Sequence, residues 1–217
     1  MDSSANALSV DFNVFISYSR KDIEFVRRLV AALEARGIAA RIDERDLPVL
    51  EDWRRELLDF ISRADTVIFV VSRSSVGSPV CAWEIQQVVE LNKRLAPVVL
   101  ERVTDDKIPE ALSRINYLFF DPPNDFDVQA ERLVQSLLTD SEWMREHTRL
   151  TTLADRWRTS SKPAAQLLRS GEINTAVKWI EQRPGNGPAV PVILHEFLEE
   201  SRKYEQGARG RAQRIKA

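Results

Sequence analysis

The sequence predicts an α/β fold, a five-stranded parallel sheet followed by a small all-α helical module. Three observations carry this. From about residue 12 to residue 138, short apolar runs alternate with segments of helical period. The run Thr66-Val67-Ile68-Phe69-Val70-Val71-Ser72 is apolar on both alternating faces, as a strand covered on both sides must be. After about Asp140 no further strand-like run occurs. Strands that alternate with helices over short loops pair in parallel and take their helices on both faces.

The elements follow in order. Asn13-Val14-Phe15-Ile16-Ser17 is a buried strand. Ile23, Val26, Leu29, Val30 and Leu33 recur at helical spacing, with a capping-box-like start over Ser19 to Asp22 and Gly37 placed to end the helix. Ala39-Ala40-Arg41-Ile42 is a short second strand, and Asp43 to Asp52 a charged loop. Trp53, Leu57, Phe60 and Ile61 form the next helical stripe. After the third strand, Ser78 and Pro79 read as the N-cap and first position of a helix running to about Asn92. Leu95 to Leu100 is a fourth strand, in which Pro97 favours an edge or a bulge. Ile115 to Phe120 is the fifth, and Asp127 to Leu138 a closing helix. Right-handed crossovers make the flavodoxin-like arrangement the expected topology.

The second part reads as helices only. Trp143, His147, Leu150, Ala154 and Trp157 share a face, and its Trp143/Trp157 stripe is read as core or interface. Ala164, Ala165, Leu167 and Leu168 mark a short helix that Gly171 can end. Ile173, Ala176, Val177 and Ile180 mark a third, and Val192, Ile193, Phe197, Leu198 and Tyr204 a fourth, beyond the loop Pro184-Gly185-Asn186-Gly187-Pro188. The expected domains are a flexible lead-in over 1–10, the sheet domain over 11–139, the helical module over 140–206 and a basic tail or linker over 207–217.

Composition narrows the chemistry. The 217 residues are 29% charged with a formal net charge of −2, which points away from nucleic acid as a partner of the sheet domain. Cys81 is the single cysteine, so neither an intrachain disulfide nor a cysteine-based zinc cluster can form. That usage fits a reducing compartment, and a cytoplasmic location is expected. No run approaches the length of a membrane helix, and the N-terminus lacks the pattern of a secretory signal. No metal site is expected. The two histidines, His147 and His195, fall in the helical part and are read as ordinary helix-surface or interface residues. No Ser-His or Cys-His pair is therefore available in the sheet domain.

Glu84, in Ser78-Pro79-Val80-Cys81-Ala82-Trp83-Glu84-Ile85, is the candidate for chemistry. It follows the buried third strand and should lie near the N-terminal end of a helix, at the carboxyl edge of the sheet, where ligands of open α/β sheets gather. The competing reading is a carboxylate that merely favours the helix dipole. Cys81 is read as a small packing residue nearby.

The stretch from Asp11 to Asp22, with Phe15-Ile16-Ser17-Tyr18-Ser19-Arg20, resembles the opening of Toll/interleukin-1 receptor (TIR) domains, above all bacterial ones. Further segments agree in order. Arg41-Ile42-Asp43 and Asp46-Leu47-Pro48 resemble the second strand and the BB loop, and Asp52-Trp53-Arg54-Arg55-Glu56-Leu57 the helix after it. Ser72 to Glu84 resembles the strand and helix bearing the family's glutamate, and Lys93 to Val98 the strand that follows. The likeness covers roughly residues 11–138 and implies a flavodoxin-like TIR domain. Many members cleave NAD+ to nicotinamide and ADP-ribose or a cyclic variant; others only assemble signalling complexes.

By this resemblance Glu84 is the catalytic residue, and NAD+ is a substrate, with no retained cofactor. Tyr18, Ser19, Arg20, Asp43, Trp53 and Val80 are the expected substrate-binding positions. Arg20 is placed to meet a phosphate or to remain a solvated arginine. Asp43 bonds a ribose or caps its loop, and Trp53 neighbours the nicotinamide or packs in the core. Many active members carry tryptophan four residues before the glutamate, where Val80 stands here. An alternative register, with Gln87 four after Trp83, would leave the site without a carboxylate. The apolar tip Leu47-Pro48-Val49-Leu50 is expected to contact neighbouring TIR domains, in self-assembly that activates the site. A sensor region or partner protein beyond the helical module, and a role in bacterial antiphage defence, belong to the same expectation. The rivals are a non-catalytic TIR scaffold and a response-regulator-like phosphoacceptor. The latter is disfavoured because Ser17-Tyr18-Ser19 stands where that fold carries an acidic pair.

Overall fold

The computed structural model describes residues 13–43, 53–113, 115–185 and 187–215. The chain divides after residue 141 into two compact units.

In the first unit, β1 (Asn13–Ser17), β2 (Ala39–Arg41), β3 (Thr66–Val71), β4 (Arg94–Val99) and β5 (Leu118–Phe119) form one parallel sheet in the order β2-β1-β3-β4-β5. Every residue of β3 is buried, which is why its sequence is continuously apolar. The crossovers are α1 (Ile23–Glu34), α2 (Trp53–Arg63), α4 (Pro79–Glu90) and α5 (Phe126–Leu138), with a four-residue α3 (Arg73–Val76) ahead of α4. The strand order reverses between β1 and β3. The chain moves outward from β1 to β2, then returns to build β3 on the other side, so their carboxyl ends open a crevice.

Local chemistry sets the boundaries. Gly37 has φ of 79°, and the Ile38 amide donates to the Leu33 carbonyl at 3.1 Å, closing α1. The Ser78 hydroxyl accepts from the Cys81 amide, and Pro79 opens α4. Ser19 makes no side-chain cap; residues Arg20–Asp22 form a 3-10 turn, and the Asp22 carboxylate instead accepts from the Ser72 hydroxyl at 2.6 Å. Helix α3, unforeseen in the sequence, starts from a capping box between Ser72 and Ser75.

The fifth strand is shorter than the expected span from Ile115. The Ile115 amide is held in a turn by the Leu112 carbonyl, and the Tyr117 hydroxyl donates to the same carbonyl, so pairing begins only at Leu118. Pro97 pairs with Phe69 of β3 but precedes the β5 pairing, which starts at Val98. On that side β4 is locally an edge, where a proline is tolerated. The Arg94 guanidinium donates to the carbonyls of Ser136, Leu137 and Thr139, satisfying the orphan acceptors at the end of α5.

The second unit is built on α6 (Ser141–Thr159), α7 (Ser170–Glu181) and α8 (Val192–Ile215). Trp143 and Trp179 stack at 4.5 Å, and each indole N–H donates to the other's backbone carbonyl, at 2.9 and 3.1 Å. His147 is 2% exposed and lies over Trp143, so it is a core residue and not the surface or interface residue expected. His195 is exposed. Two further expectations are corrected. The short helix before Gly171 is a single 3-10 turn, Ala164–Gln166, and Gly171 lies inside the first turn of α7. The end expected as a basic tail or linker is helical: α8 continues through it to Ile215. Its glycines cost a helix roughly 1 kcal/mol each, which the alanine, arginine and glutamine around them tolerate.

Replacing either Trp143 or Trp179 by phenylalanine removes one buried indole donor, its bond to the partner's carbonyl and part of the stacked ring. Each variant is expected to lose about 1–3 kcal/mol in urea unfolding.

Candidate active site

Glu84 lies in the second turn of α4, facing the carboxyl end of β1. The dipole of a helix acts mainly within its first turn, so the helix terminus does not account for a carboxylate here. Glu84 is 5% exposed. Ser17, the last residue of β1 and itself buried, donates its hydroxyl to Glu84 Oε2 at 2.5 Å. Burial, with the Asp43 charge adding to it and the Ser17 bond opposing it, pushes the Glu84 pKa up to about 7. The neighbouring Cys81 thiol is buried, and burial pushes its pKa up to about 11, so it packs as an inert neutral group.

Beside Glu84 lies a cavity of about 330 Å³ at the carboxyl end of β1. Tyr18, Ser19, Arg20 and Lys21 wall it from the turn after β1, Asp43 from the end of β2, and Ser78 and Val80 from the start of α4. The Tyr18 hydroxyl donates to the Asp43 carbonyl at 3.0 Å, tying two of these walls together. A larger hollow of about 1030 Å³ opens beside β2 and α2, but its titratable groups, Arg41, Arg55, Glu56, Asp59 and Arg63, are all exposed. The smaller cavity alone of these two combines a buried, perturbed acid with an enclosed wall.

The model of the TIR domain family matches residues 14–134. The chain belongs to the TIR domain family. The five-stranded parallel sheet with its helices is the flavodoxin-like TIR fold. Solved structures similar to it include the TIR domain of a Toll-related receptor, TRR-2, from Hydra magnipapillata, 23% identical, covering 59% of this chain and 97% of that one with a TM-score of 0.47. The TIR domains of the activated Roq1 resistosome are 21% identical over 59% of this chain and 98% of theirs, with a TM-score of 0.44. The TIR heterodimer of RPS4 and RRS1 matches at 15% identity over 60% and 97%, with a TM-score of 0.46. No curated protein sequence matches the chain.

Within this TIR domain, the structure brings five of the six expected substrate-binding positions, Tyr18, Ser19, Arg20, Asp43 and Val80, to the cavity of Glu84. Trp53 is not among its lining residues. It packs edge-to-face on Trp83 at 5.7 Å, beside the cluster of Phe15, Leu57 and Ile61. Gln87, the pivot of the alternative register, bonds Glu90 on α4 and does not line the cavity, so Glu84 is the α4 carboxylate at the site. Leu47, Pro48, Val49 and Leu50 lie outside the described residues. Sequence reasoning missed Ser17 as the partner of Glu84. Its signal was a polar residue directly after the apolar run Val14-Phe15-Ile16 of a buried strand. Among the described residues, no cluster of three or more His, Cys, Asp or Glu could hold a metal ion, and no helix is long and apolar enough to cross a membrane.

The raised pKa of Glu84 has a stability consequence of definite sign. Below about pH 4.5 the group is protonated in both folded and unfolded chains. As pH rises to about 7 the unfolded chain ionises first, so the native state loses stability across that window. Glu84→Gln removes the loss. The variant is expected to match the parent at pH 4.5 and to exceed it at pH 8, by about 3 kcal/mol at most, in urea unfolding at the two pH values.

Proposed function

We propose that this TIR domain is an NAD+ glycohydrolase, cleaving the bond between nicotinamide and ribose. The observation that carries the reading is Glu84: a single buried carboxylate, hydrogen-bonded by Ser17, on the wall of a cavity at the switch point of the sheet.

One carboxylate suffices for this substrate class. A glycosidase acting on a neutral leaving group needs a second acid to protonate the departing oxygen. The nicotinamide of NAD+ departs from a cationic ring. The glycosidic electron pair passes to the ring nitrogen, and nicotinamide leaves neutral without a proton. The positive charge moves onto the ribose as an oxocarbenium-like centre, which the ionised Glu84 stabilises from a fixed position in a low-dielectric wall. Water then adds to the anomeric carbon and releases its proton to solvent, giving ADP-ribose; capture by an internal nucleophile gives a cyclic product. Arg20 and Lys21 at the cavity wall supply the charge that a diphosphate requires. Asp43 and the Tyr18–Asp43 link hold the opposite wall, within reach of ribose hydroxyls. Assembly of TIR domains with one another, in the cytoplasm of a bacterial cell under attack, is the setting in which such an activity would serve as defence.

The test is nicotinamide release from NAD+ by concentrated, assembly-promoted protein. Glu84→Ala should lose at least about 100-fold in turnover. Equal turnover by the two proteins overturns the assignment, and no turnover under any assembling condition leaves the TIR domain as a scaffold. The reactive form of Glu84 is ionised, so kcat/KM should rise with pH through about 7 to a plateau. The cationic substrate favours the ionised carboxylate, so the profile of kcat should turn at a lower pH than that of kcat/KM.

A further inference from the structure

We propose that Ser17 is a positioning residue for the site, holding Glu84 by one oxygen so that the other faces the substrate; this rests on the NAD+ glycohydrolase reading. The geometry is specific. Ser17 sits in the sheet, not in a loop: at the last position of β1 it still pairs with Phe69 of β3. Its side chain is 2% exposed, and its hydroxyl reaches Glu84 Oε2 at 2.5 Å across 67 residues of sequence. A donor built on the central sheet cannot follow the loops when they move. The carboxylate is therefore pinned to the hydrogen-bonded sheet.

The bond also divides the work of the two oxygens. Ser17 occupies Oε2, whereas no hydrogen bond within the described residues takes Oε1, and Glu84 lines the cavity. One oxygen is fixed and the other remains for the ribose. A carboxylate free to spin about its terminal bond would spread its charge over many orientations, and preorganised charge is worth more than mobile charge in a low-dielectric site.

The same hydroxyl tunes the protonation of Glu84. A hydrogen bond donated to a carboxylate favours its ionised form, opposing the burial that disfavours it. The other charged or titratable groups around Glu84 are Asp43 just beyond β2, Tyr18, Arg20 and Lys21 in the turn after β1, and the Cys81 thiol on α4. None of these replaces the lost donor, because Asp43 carries like charge, the Tyr18 hydroxyl donates to the Asp43 carbonyl, Cys81 is a weak donor, and Arg20 and Lys21 are exposed. Without Ser17 the carboxyl group should hold its proton to higher pH.

The experiment compares the parent protein with Ser17→Ala and Ser17→Thr in two readouts. The first is the titration of the Glu84 carboxyl carbon by NMR in protein labelled at glutamate, the signal assigned by its absence in Glu84→Gln. The second is the pH profile of kcat/KM for nicotinamide release. Ser17→Ala is expected to move both midpoints alkaline by about one pH unit. At pH 7 that is roughly a fivefold loss of kcat/KM, recovered near pH 9, while Ser17→Thr keeps the parent midpoint. If threonine overfills the strand and the variant does not fold, Ser17→Cys takes its place; its weaker donor should give an intermediate midpoint. An unchanged Glu84 titration in Ser17→Ala overturns the positioning role. Absence of nicotinamide release in the parent, with the titration still shifted, overturns the catalytic reading and leaves the hold of Ser17 on Glu84 established.

Discussion

The burial of β3 on both faces is the constraint on which the sheet domain depends. Its six residues are all buried between β1 and β4. A strand so placed must be apolar throughout, must be paired along both edges, and must be covered by helices above and below. The crossovers that supply that cover put β2 outside β1 and send the chain back to β3. The crevice at the carboxyl ends of β1 and β3 follows from this route and not from any residue selected to make it. Glu84 and Ser17 meet there because Ser17 stands at the end of β1 and Glu84 in the second turn of α4, which leads from β3 to β4.

Burial does two opposed things to Glu84. It raises the cost of ionising the carboxyl group, which weakens the native state at neutral pH. It also places the charge, once formed, in surroundings where it acts strongly on a developing cation. A fold selected only for stability would put glutamine or an apolar residue there. Holding a carboxylate with its pKa near 7 against a cavity is a cost that makes sense when the group has work to do. The tryptophan pair of the helical unit shows the opposite case. Its two indole donors and two carbonyl acceptors satisfy one another, so it is polar chemistry serving structure alone.

Much of the site was legible in the sequence because it is carried by short-range order. Tyr18, Ser19, Arg20 and Asp43 directly follow strands that their apolar runs announced, and such positions fall at one edge of a parallel sheet. Val80 and Glu84, four residues apart, had to share a face of α4. Trp53 was legible only as a position on a helix stripe. Whether such a ring turns toward the cavity or the core depends on its neighbour, here Trp83, which belongs to a different helix. His147 was misjudged for the same reason: its burial comes from Trp179 of α7 and from the Ala189 carbonyl 42 residues away. The continuation of α8 through its glycines was missed because a helix already docked by Leu194, Phe197 and Leu198 can extend through weak formers that would not start one.

By itself, the sequence determined the class of the fold, the order of its elements, the helical character of the second unit and the face on which Glu84 stands. These depend on hydrophobic period and on caps, which act over a few residues. Only the tertiary structure decided that Glu84 is buried, that Ser17 holds it, and that Arg20, Lys21 and Asp43 surround the same cavity. Those facts depend on contacts between residues far apart in the chain. A carboxylate's pKa responds to its dielectric surroundings and to the donors it meets in space, and neither is written in its immediate neighbours along the sequence.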